Sequence, residues 1–403
     1  MASFALRQTP TRVSGEALDD AGAVALAEEL KGKPTVEELT ISDAAFGASS
    51  ATALGEAIKA SKSLKVVHLT RLAREQPNPG AAIAALEALL LSPTAEEVGL
   101  FSASVGERGM VALAECLKTS AALKNLRLSR CDILHSGVTF ADCDPAKKLT
   151  EALTANRTLR RLSLAGCKLG PTCGPLFAAI LRENAALLEL DLSENGLNGS
   201  SATALAEGLS VNRTLFALNL DDNLVDTTGA ALLAEALKVN VAMRRLSLEN
   251  NVIGDLGATA FAEALKTNGS VKELNLSHNN IGQNGALALA EMVEINRTLQ
   301  QLVLRFNKSG YTGSKALAAA LSKNEAMVAL DLFQNSVPGS ADLSIDDSLR
   351  RNKKKRNMRT WRALAWSVMG FVILHRDIYK PGHPGYQRAA ASFQAAAAVQ
   401  SHT

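Results

Sequence analysis

The middle of the chain carries acidic side chains that recur in phase with a 28-residue spacing. They are Glu189, Asp191, Glu194, Asp221, Asp222, Glu249 and Glu273. Paired carboxylates act as general acid and base where burial separates their pKa values, which an open, water-filled face does not do. Gathered in one concavity, like charges would instead steer a basic protein towards the chain. Ordinary solvated positions are the alternative interpretation, and Arg245 interrupts the run.

Basic and aromatic residues flank these carboxylates in the same phase. Arg127, Arg130 and Arg161 precede them, whereas Arg305 and Phe306 follow them. All of these positions border or follow pairs of leucines, so we expect them on the same face of the molecule as the carboxylates. The sequence therefore predicts a partner-binding surface with an acidic centre, a basic N-terminal side and an aromatic C-terminal side.

The secondary-structure elements that must position these side chains recur at a constant spacing. A Leu-x-Leu pair begins every 28 residues at Leu162, Leu190, Leu218, Leu246, Leu274, Leu302 and Leu330. Its two-residue rhythm is typical of a short strand with one face buried. An asparagine follows the first leucine by five residues from Asn195 onward, and a helical stripe completes each unit. Such a period predicts a solenoid, an architecture that binds partners over an extended surface.

The unit L-x-x-L-x-L-x-x-[N/C]-x-[L/I] resembles the leucine-rich repeat of the long, ribonuclease-inhibitor-like type. Ran GTPase-activating proteins and the repeat domains of NOD-like receptors are similar to it. Four less regular units, with strand cores at Leu39/Ile41, Val67/Leu69, Val98/Leu100 and Leu126/Leu128, bring the expected number to about eleven. The resemblance implies an α/β horseshoe with a concave parallel sheet and convex helices. It also implies a non-catalytic scaffold that binds a protein on the concave face.

One early unit resembles the Ran GTPase-activating proteins more closely, because it is lengthened and carries an arginine after its strand. Arg74 lies in about the matching place, with Arg71 as the alternative. An exposed arginine there could touch a nucleotide-bound small GTPase. The chain departs from that family at Arg130-Cys131, where an asparagine is expected, and it lacks the acidic C-terminal tail. GTPase activation is therefore the second hypothesis.

The two ends differ from the repeats. The sequence predicts an N-terminal segment with a capping helix over 1–31, the helix itself at Gly15–Lys31, and repeats over 32–352. A basic and then apolar segment (353–375) and a tail (376–403) follow. The basic residues of this region are Arg350, Arg351, Lys353, Lys354, Lys355, Arg356, Arg359 and Arg362. The apolar run Ala363–Leu374 is too short to span a bilayer. Capping of the last repeat, docking to a calmodulin-like partner or a membrane surface, and nuclear import remain open for this segment.

Composition excludes several classes of function. The formal net charge is +3, so no nucleic-acid binding is expected. The six histidines show no metal-ligand spacing and no phosphate-binding loop is present, so we expect neither metal nor cofactor. Two of the five cysteines, Cys131 and Cys167, take the ladder position of the repeat. Buried reduced thiols are therefore expected, which favours the cytoplasm or the nucleus.

Overall fold

The structure is a computed structural model of the whole chain. It describes residues 5–9, 12–16, 19–33, 35–42, 47–70, 92–103, 105–133, 140, 143–335, 337 and 344–357. The chain divides into two compact units, Met1–Ile345 and Asp346–Thr403. The repeats fill the first unit.

The first unit contains one thirteen-stranded sheet whose strands follow each other in chain order. The strands are β1 (Ala5–Thr9), β2 (Arg12–Glu16), β3 (Glu38–Ser42), β4 (Val66–Thr70), β5 (Glu97–Phe101), β6 (Asn125–Ser129), β7 (Arg161–Ser163), β8 (Glu189–Asp191), β9 (Ala217–Asn219), β10 (Arg245–Ser247), β11 (Glu273–Asn275), β12 (Gln301–Val303) and β13 (Ala329–Asp331). From β2 to β13 all neighbours pair in parallel, with the leucines in register, as Leu190 is with Leu218. The eleven strands β3–β13 are the predicted repeat strands, so the leucine-rich-repeat solenoid is confirmed.

Helices alternate with the strands. Within the described residues of the first unit they are α1 (Asp20–Gly32), α2 (Ala48–Ala60), α3 (Gly106–Thr119), α4 (Asp144–Ala155), α5 (Gly174–Glu183), α6 (Gly199–Val211), α7 (Thr227–Val239), α8 (Gly254–Thr267), α9 (Gln283–Ile295) and α10 (Gly310–Lys323), with a 3-10 turn at Pro171–Cys173 before α5. One position of the repeat holds a small residue, which lets each helix pack close to its own strand. The alanines at this position, residues 178, 206, 234, 262, 290 and 318, are buried. Larger apolar side chains, such as Leu205 and Phe261, fill the space between the helices and the sheet.

The N-terminal end differs from the prediction. Gly15–Lys31 was expected to be helical, but Arg12–Glu16 is a strand and the helix begins only at Asp20. Strand β2 pairs in parallel with β3, and β1 pairs antiparallel with β2. The prediction was wrong over these first residues because the leading edge of β3 needs hydrogen-bond partners, which a strand supplies and a helix does not. The sheet consequently has two strands more than the repeats.

A buried asparagine ladder ties each repeat to the one before it. The Nδ2 atom of Asn223 donates to the Leu192 carbonyl at 3.0 Å, and its Oδ1 accepts from the amides of Asn195 and Leu197. At the ladder position of β7, the Cys167 thiol donates to the Leu128 carbonyl at 3.0 Å. These bonds satisfy backbone groups that would otherwise be buried without partners.

A second asparagine column ends the helices. Asn184 is typical: its Nδ2 donates to the Leu153 carbonyl, and its Oδ1 accepts from the amides of Ala186 and Leu187. The equivalent Asn156, Asn212 and Asn296 are buried as well. These three asparagines begin Asn-Arg-Thr triplets, whose sequence also matches a glycosylation sequon. Helix termination accounts for the triplets.

In the second unit, the structure describes the end of a single helix, α11 (344–357), whose first residues belong to the first unit. Its basic side chains include the largely exposed Lys353, Lys354 and Arg356. The domain boundary predicted at 352 falls inside this helix. Arg359, Arg362 and the apolar run lie outside the described residues. None of the described helices is both long enough and apolar enough to cross a bilayer.

Candidate protein-binding surface

The concave sheet forms a shallow groove of about 590 Å³. Because strand side chains alternate, the residues that flank each buried leucine point into it. The charged residues that line it are Arg127, Arg161, Glu189, Asp191, Asp221, Arg245 and Glu273. Six of the twelve residues predicted for partner binding therefore line the groove, whereas Arg130, Glu194, Asp222, Glu249, Arg305 and Phe306 are not among its lining residues.

Glu189 is held between two arginines. Its Oε1 atom accepts from Arg161 Nε at 3.0 Å, and an Arg245 guanidinium nitrogen lies 3.6 Å away. Arg245 also lies over the Phe216 ring, with 5.3 Å between the guanidinium carbon and the ring centroid. The charge of Glu189 is therefore largely compensated within the sheet, mainly by Arg161 and in addition by Arg245, which interrupts the acidic run in the sequence.

Glu194 is also paired, with an arginine two strands away. Arg130 donates to it through Nε and Nη2 at 3.0–3.2 Å. Gly166 lies between the two, and a Cβ atom there would stand 2.8 Å from Arg130 Cγ. The missing side chain lets Arg130 reach across one repeat, and the φ of +68° at Gly166 favours glycine as well.

The central carboxylates Asp191, Glu249 and Glu273 have no basic partner in the part of the chain that the structure describes, and two of them are hydrogen-bonded. Asp191 accepts from the Ser163 hydroxyl at 2.8 Å, and Glu249 accepts from Asn275 Nδ2 at 2.9 Å. Glu273 lines the groove and makes neither a hydrogen bond nor an ion pair through its side chain with the described residues. The uncompensated negative charge is therefore concentrated at Asp191 and Glu273, which line the groove, and at Glu249, which follows β10.

Asp221 has a different environment from its neighbours. Burial raises the pKa of its carboxyl group, although hydrogen bonds from the Ser247 hydroxyl and the Glu249 amide favour the ionised form. The negative charges of Glu249 and Asp222 raise the pKa further. At the rim, the Asp222 carboxylate accepts from Asn250 Nδ2 at 2.7 Å. The acidic centre therefore combines a half-buried carboxyl with more exposed ones.

The N-terminal end of the concave face carries a cluster that the sequence analysis missed. Glu97 accepts from Asn125 at 3.1 Å, lies 3.1 Å from His68 Nε2, and is 3.8 Å from Arg127. Together these contacts lower the pKa of Glu97, although its burial opposes them as the largest single effect. A Cβ atom at Gly99 would stand 2.7 Å from the His68 ring, so glycine makes room for this histidine. His68 and Glu97 lie on adjacent strands, a proximity that alignment of the early repeats could have shown.

An aromatic cluster occupies the C-terminal end. Phe306 stacks on His278 with 4.3 Å between ring centroids and meets Phe333 edge-on at 5.4 Å. Arg305 lies over Phe333 at 5.1 Å and 3.4 Å from an Asp331 carboxylate oxygen. Phe306 and Phe333 nevertheless keep 43% and 53% of their surface exposed. We call His278, Arg305, Phe306 and Phe333 the aromatic end.

The sequence analysis named Arg305 and Phe306 for this surface but not Phe333. The signal was available, because Arg305 and Phe333 are 28 residues apart, as are His278 and Phe306. Residues one period apart lie on adjacent repeats and contact each other across the sheet. Reading the repeat by columns would therefore have found the whole aromatic end.

The remaining predictions concern the two early arginines, metal ligands and the cysteines. Arg71 and Arg74 lie outside the described residues, so GTPase activation stays a prediction from the resemblance. Within the described ranges, no group of histidine, cysteine, aspartate and glutamate side chains could hold a metal ion. All five cysteines are free and buried, as the sequence predicts.

Comparison with known proteins agrees with the fold. Four segments match the sequence model of the family described as "Leucine Rich repeat", at residues 155–172, 183–206, 239–262 and 267–290. These segments coincide with repeats of the sheet, so the match agrees with the leucine-rich-repeat solenoid fold. A comparison with the curated proteins finds no match.

Three solved structures illustrate the similarity. A structure titled "Leiomodin-1 Actin-Binding Site 2" is 25% identical, with a TM-score of 0.32, and the match covers 35% of this chain and 82% of that one. The tropomodulin C-terminal domain of Caenorhabditis elegans is 18% identical, with a TM-score of 0.31, over 34% of this chain and 81% of that one. An internalin of Listeria monocytogenes is 17% identical, with a TM-score of 0.46, over 85% of both chains.

Proposed function

We propose that this protein is a non-catalytic scaffold that binds a protein partner on the concave face of its repeats. The exposed aromatic end carries the proposal. Two phenylalanine rings, Phe306 and Phe333, stand half exposed beside an arginine, and aromatic and arginine side chains dominate the energetic centres of protein interfaces. Burying the two rings under a partner would remove apolar surface from water, worth roughly 25 cal/mol per Å².

The shape of the groove supports a macromolecular partner. Its lining comes from neighbouring strands and mixes charged and amide side chains with apolar ones, from Arg127 near one end to Gln301 near the other. Sites for small molecules enclose most of the ligand. A shallow, open strip across several repeats, with the aromatic end beyond its last lining residues, instead matches an elongated protein surface.

The charges specify what such a partner carries. Asp191, Glu249 and Glu273 have no basic partner among the described residues, so they attract cations from outside. The partner therefore presents basic side chains to these carboxylates and an apolar side chain to Phe306 and Phe333. Glu189 and Glu194 contribute less than the sequence analysis expected, because arginines already compensate them.

The test compares two variants with matched controls in affinity capture from cells that express the protein. Phe306→Ala/Phe333→Ala removes the exposed rings, and Tyr311→Ala removes another ring, 58% exposed, outside the groove. We expect a set of proteins that wild type and the Tyr311 variant retain and that the double variant loses. Equal capture by all three proteins would contradict the proposal.

The second pair of variants tests the carboxylates. Asp191→Asn/Glu249→Gln removes two charges from the concave face, whereas Glu235→Gln/Glu263→Gln removes two from the helices. The same partner should bind the concave variant more weakly, and the difference should shrink as salt rises. A loss that is equal for both variants would leave general charge, and not the groove, as the cause.

A further inference from the structure

Five arginines lie on the rim of the solenoid where the helices end and the strands begin. Each adopts one of two hydrogen-bonding arrangements. Arg157, Arg213 and Arg297 occupy one column, and Arg160 and Arg244 occupy another. All lie in the turns between a helix and the next strand, on the rim away from the aromatic end. We call these five residues the arginine rim.

The backbone fixes the direction of each guanidinium group. In the first column, Nη1 donates to the carbonyl three residues earlier and to that of the C-cap asparagine, as Arg213 does at 2.8 and 3.1 Å. Arg157 and Arg297 make the same two bonds at 2.6–3.2 Å. In the second column, Arg244 donates to the Val241 carbonyl at 2.9 Å and to that of Ser270 in the next repeat at 3.2 Å.

These bonds use only one nitrogen of each guanidinium. Nε and Nη2 of the five arginines bind nothing among the described residues, and none of the five forms an ion pair there. An arginine has five N–H donors, so each keeps a fork directed at solvent. The rim therefore presents donors that are already oriented but have no acceptor.

Nearby glutamates do not compensate this charge, because other cations bind them. Glu207 binds Arg182 at 2.6 Å, Glu235 binds Lys238 at 2.6 Å, and Glu294 binds Lys323 at 2.7 Å. The helix C-termini themselves contribute about half a negative charge each, which is less than one guanidinium. These three glutamates are therefore already paired, and the five guanidinium groups exceed the partial charges of the helix ends.

We propose that the arginine rim binds an extended acidic polypeptide segment. Arg157 and Arg297 are five 28-residue repeats apart, which corresponds to roughly 24 Å at the strand spacing of a sheet. An extended peptide of about seven residues spans that distance. Carboxylates match the guanidinium fork in a bidentate manner. Two adjacent columns of cations along one rim fit a chain better than a membrane or a duplex, both of which need a broad basic surface.

The test measures binding of a fluorescein-labelled peptide of eight glutamates to the full chain by fluorescence anisotropy. We expect saturable binding that Arg157→Gln/Arg213→Gln/Arg297→Gln weakens about tenfold or more, as the loss of three charge-assisted contacts implies. The matched control is Lys168→Gln/Lys308→Gln/Lys315→Gln, which removes the same charge from exposed lysines that lie outside the helix-to-strand turns. This control should weaken binding much less at about 0.15 M salt, where distant charges are screened.

Two further measurements separate recognition from folding and from other anions. Arg157→Lys/Arg213→Lys/Arg297→Lys keeps the charge, so it should bind more tightly than the glutamine variant at an equal melting temperature. Absence of saturable binding, or equal weakening by the arginine and lysine variants, would overturn the proposal. So would tighter binding to phosphatidylserine vesicles or to duplex DNA than to the peptide.

Discussion

Replacing Asn223 by alanine removes one rung of the asparagine ladder that joins the repeats. The substitution leaves the Leu192 carbonyl and the amides of Asn195 and Leu197 buried without partners. Each unsatisfied buried group costs about 1–3 kcal/mol, so three of them at the lower limit cost about 3 kcal/mol. Repeats contact only their neighbours, and the loss is therefore expected around β8 and β9 first.

Urea denaturation followed by far-ultraviolet circular dichroism measures the total loss. Hydrogen exchange of the Leu197 amide, which should accelerate in the variant, measures the local one. Asn223→Cys is the matched control, because Cys131 and Cys167 fill the same position in earlier repeats and their thiols donate to carbonyls. The cysteine variant should lose less stability than the alanine variant. A loss below about 1 kcal/mol for alanine, or an equal loss for cysteine, would refute the reasoning.

Three other predictions concern titration, reactivity and catalysis. The raised pKa of Asp221 means that the folded protein binds its proton more tightly than the unfolded chain, so this group lowers stability as pH rises from its ordinary value through the raised one. Asp221→Asn should remove this contribution, so the slope of the free energy of unfolding against pH should become more positive in that window, and an unchanged slope would contradict the assignment. Burial raises the pKa of the Cys116 thiol to about 12, so a thiol reagent at pH 8 should react with native protein only as fast as it unfolds. The purified chain should not accelerate single-turnover GTP hydrolysis by Ran, and acceleration that Arg74→Ala abolishes would replace the scaffold hypothesis with GTPase activation.

Much of the fold could be predicted from the sequence because each position of the repeat has the same structural role in every unit. The leucine pairs, the small alanine column and the buried asparagines all sit where their period places them. The strands β1 and β2 could not be predicted in this way, because they carry no Leu-x-Leu pair and form where the sheet edge needs partners.

The candidate site was predicted in position but less well in its charge. The sequence shows that Glu189 and Glu194 lie on the concave side, but it does not show that long arginine side chains reach them. The pair Arg130–Glu194 spans 64 residues and depends on the missing side chain of Gly166. A contact across an irregular repeat, such as this one, depends on the distance between side chains in the folded protein. The amino-acid sequence alone does not give that distance.

The measurement that bears most directly on the proposed concave binding surface is calorimetric titration of a captured and purified partner. Phe306→Ala/Phe333→Ala should weaken its affinity at least tenfold, a change of about 1.4 kcal/mol, with the melting temperature of the scaffold unchanged. Tyr311→Ala should bind as wild type does. A partner that binds the double variant and the wild type with equal affinity would contradict the concave face as the site of recognition.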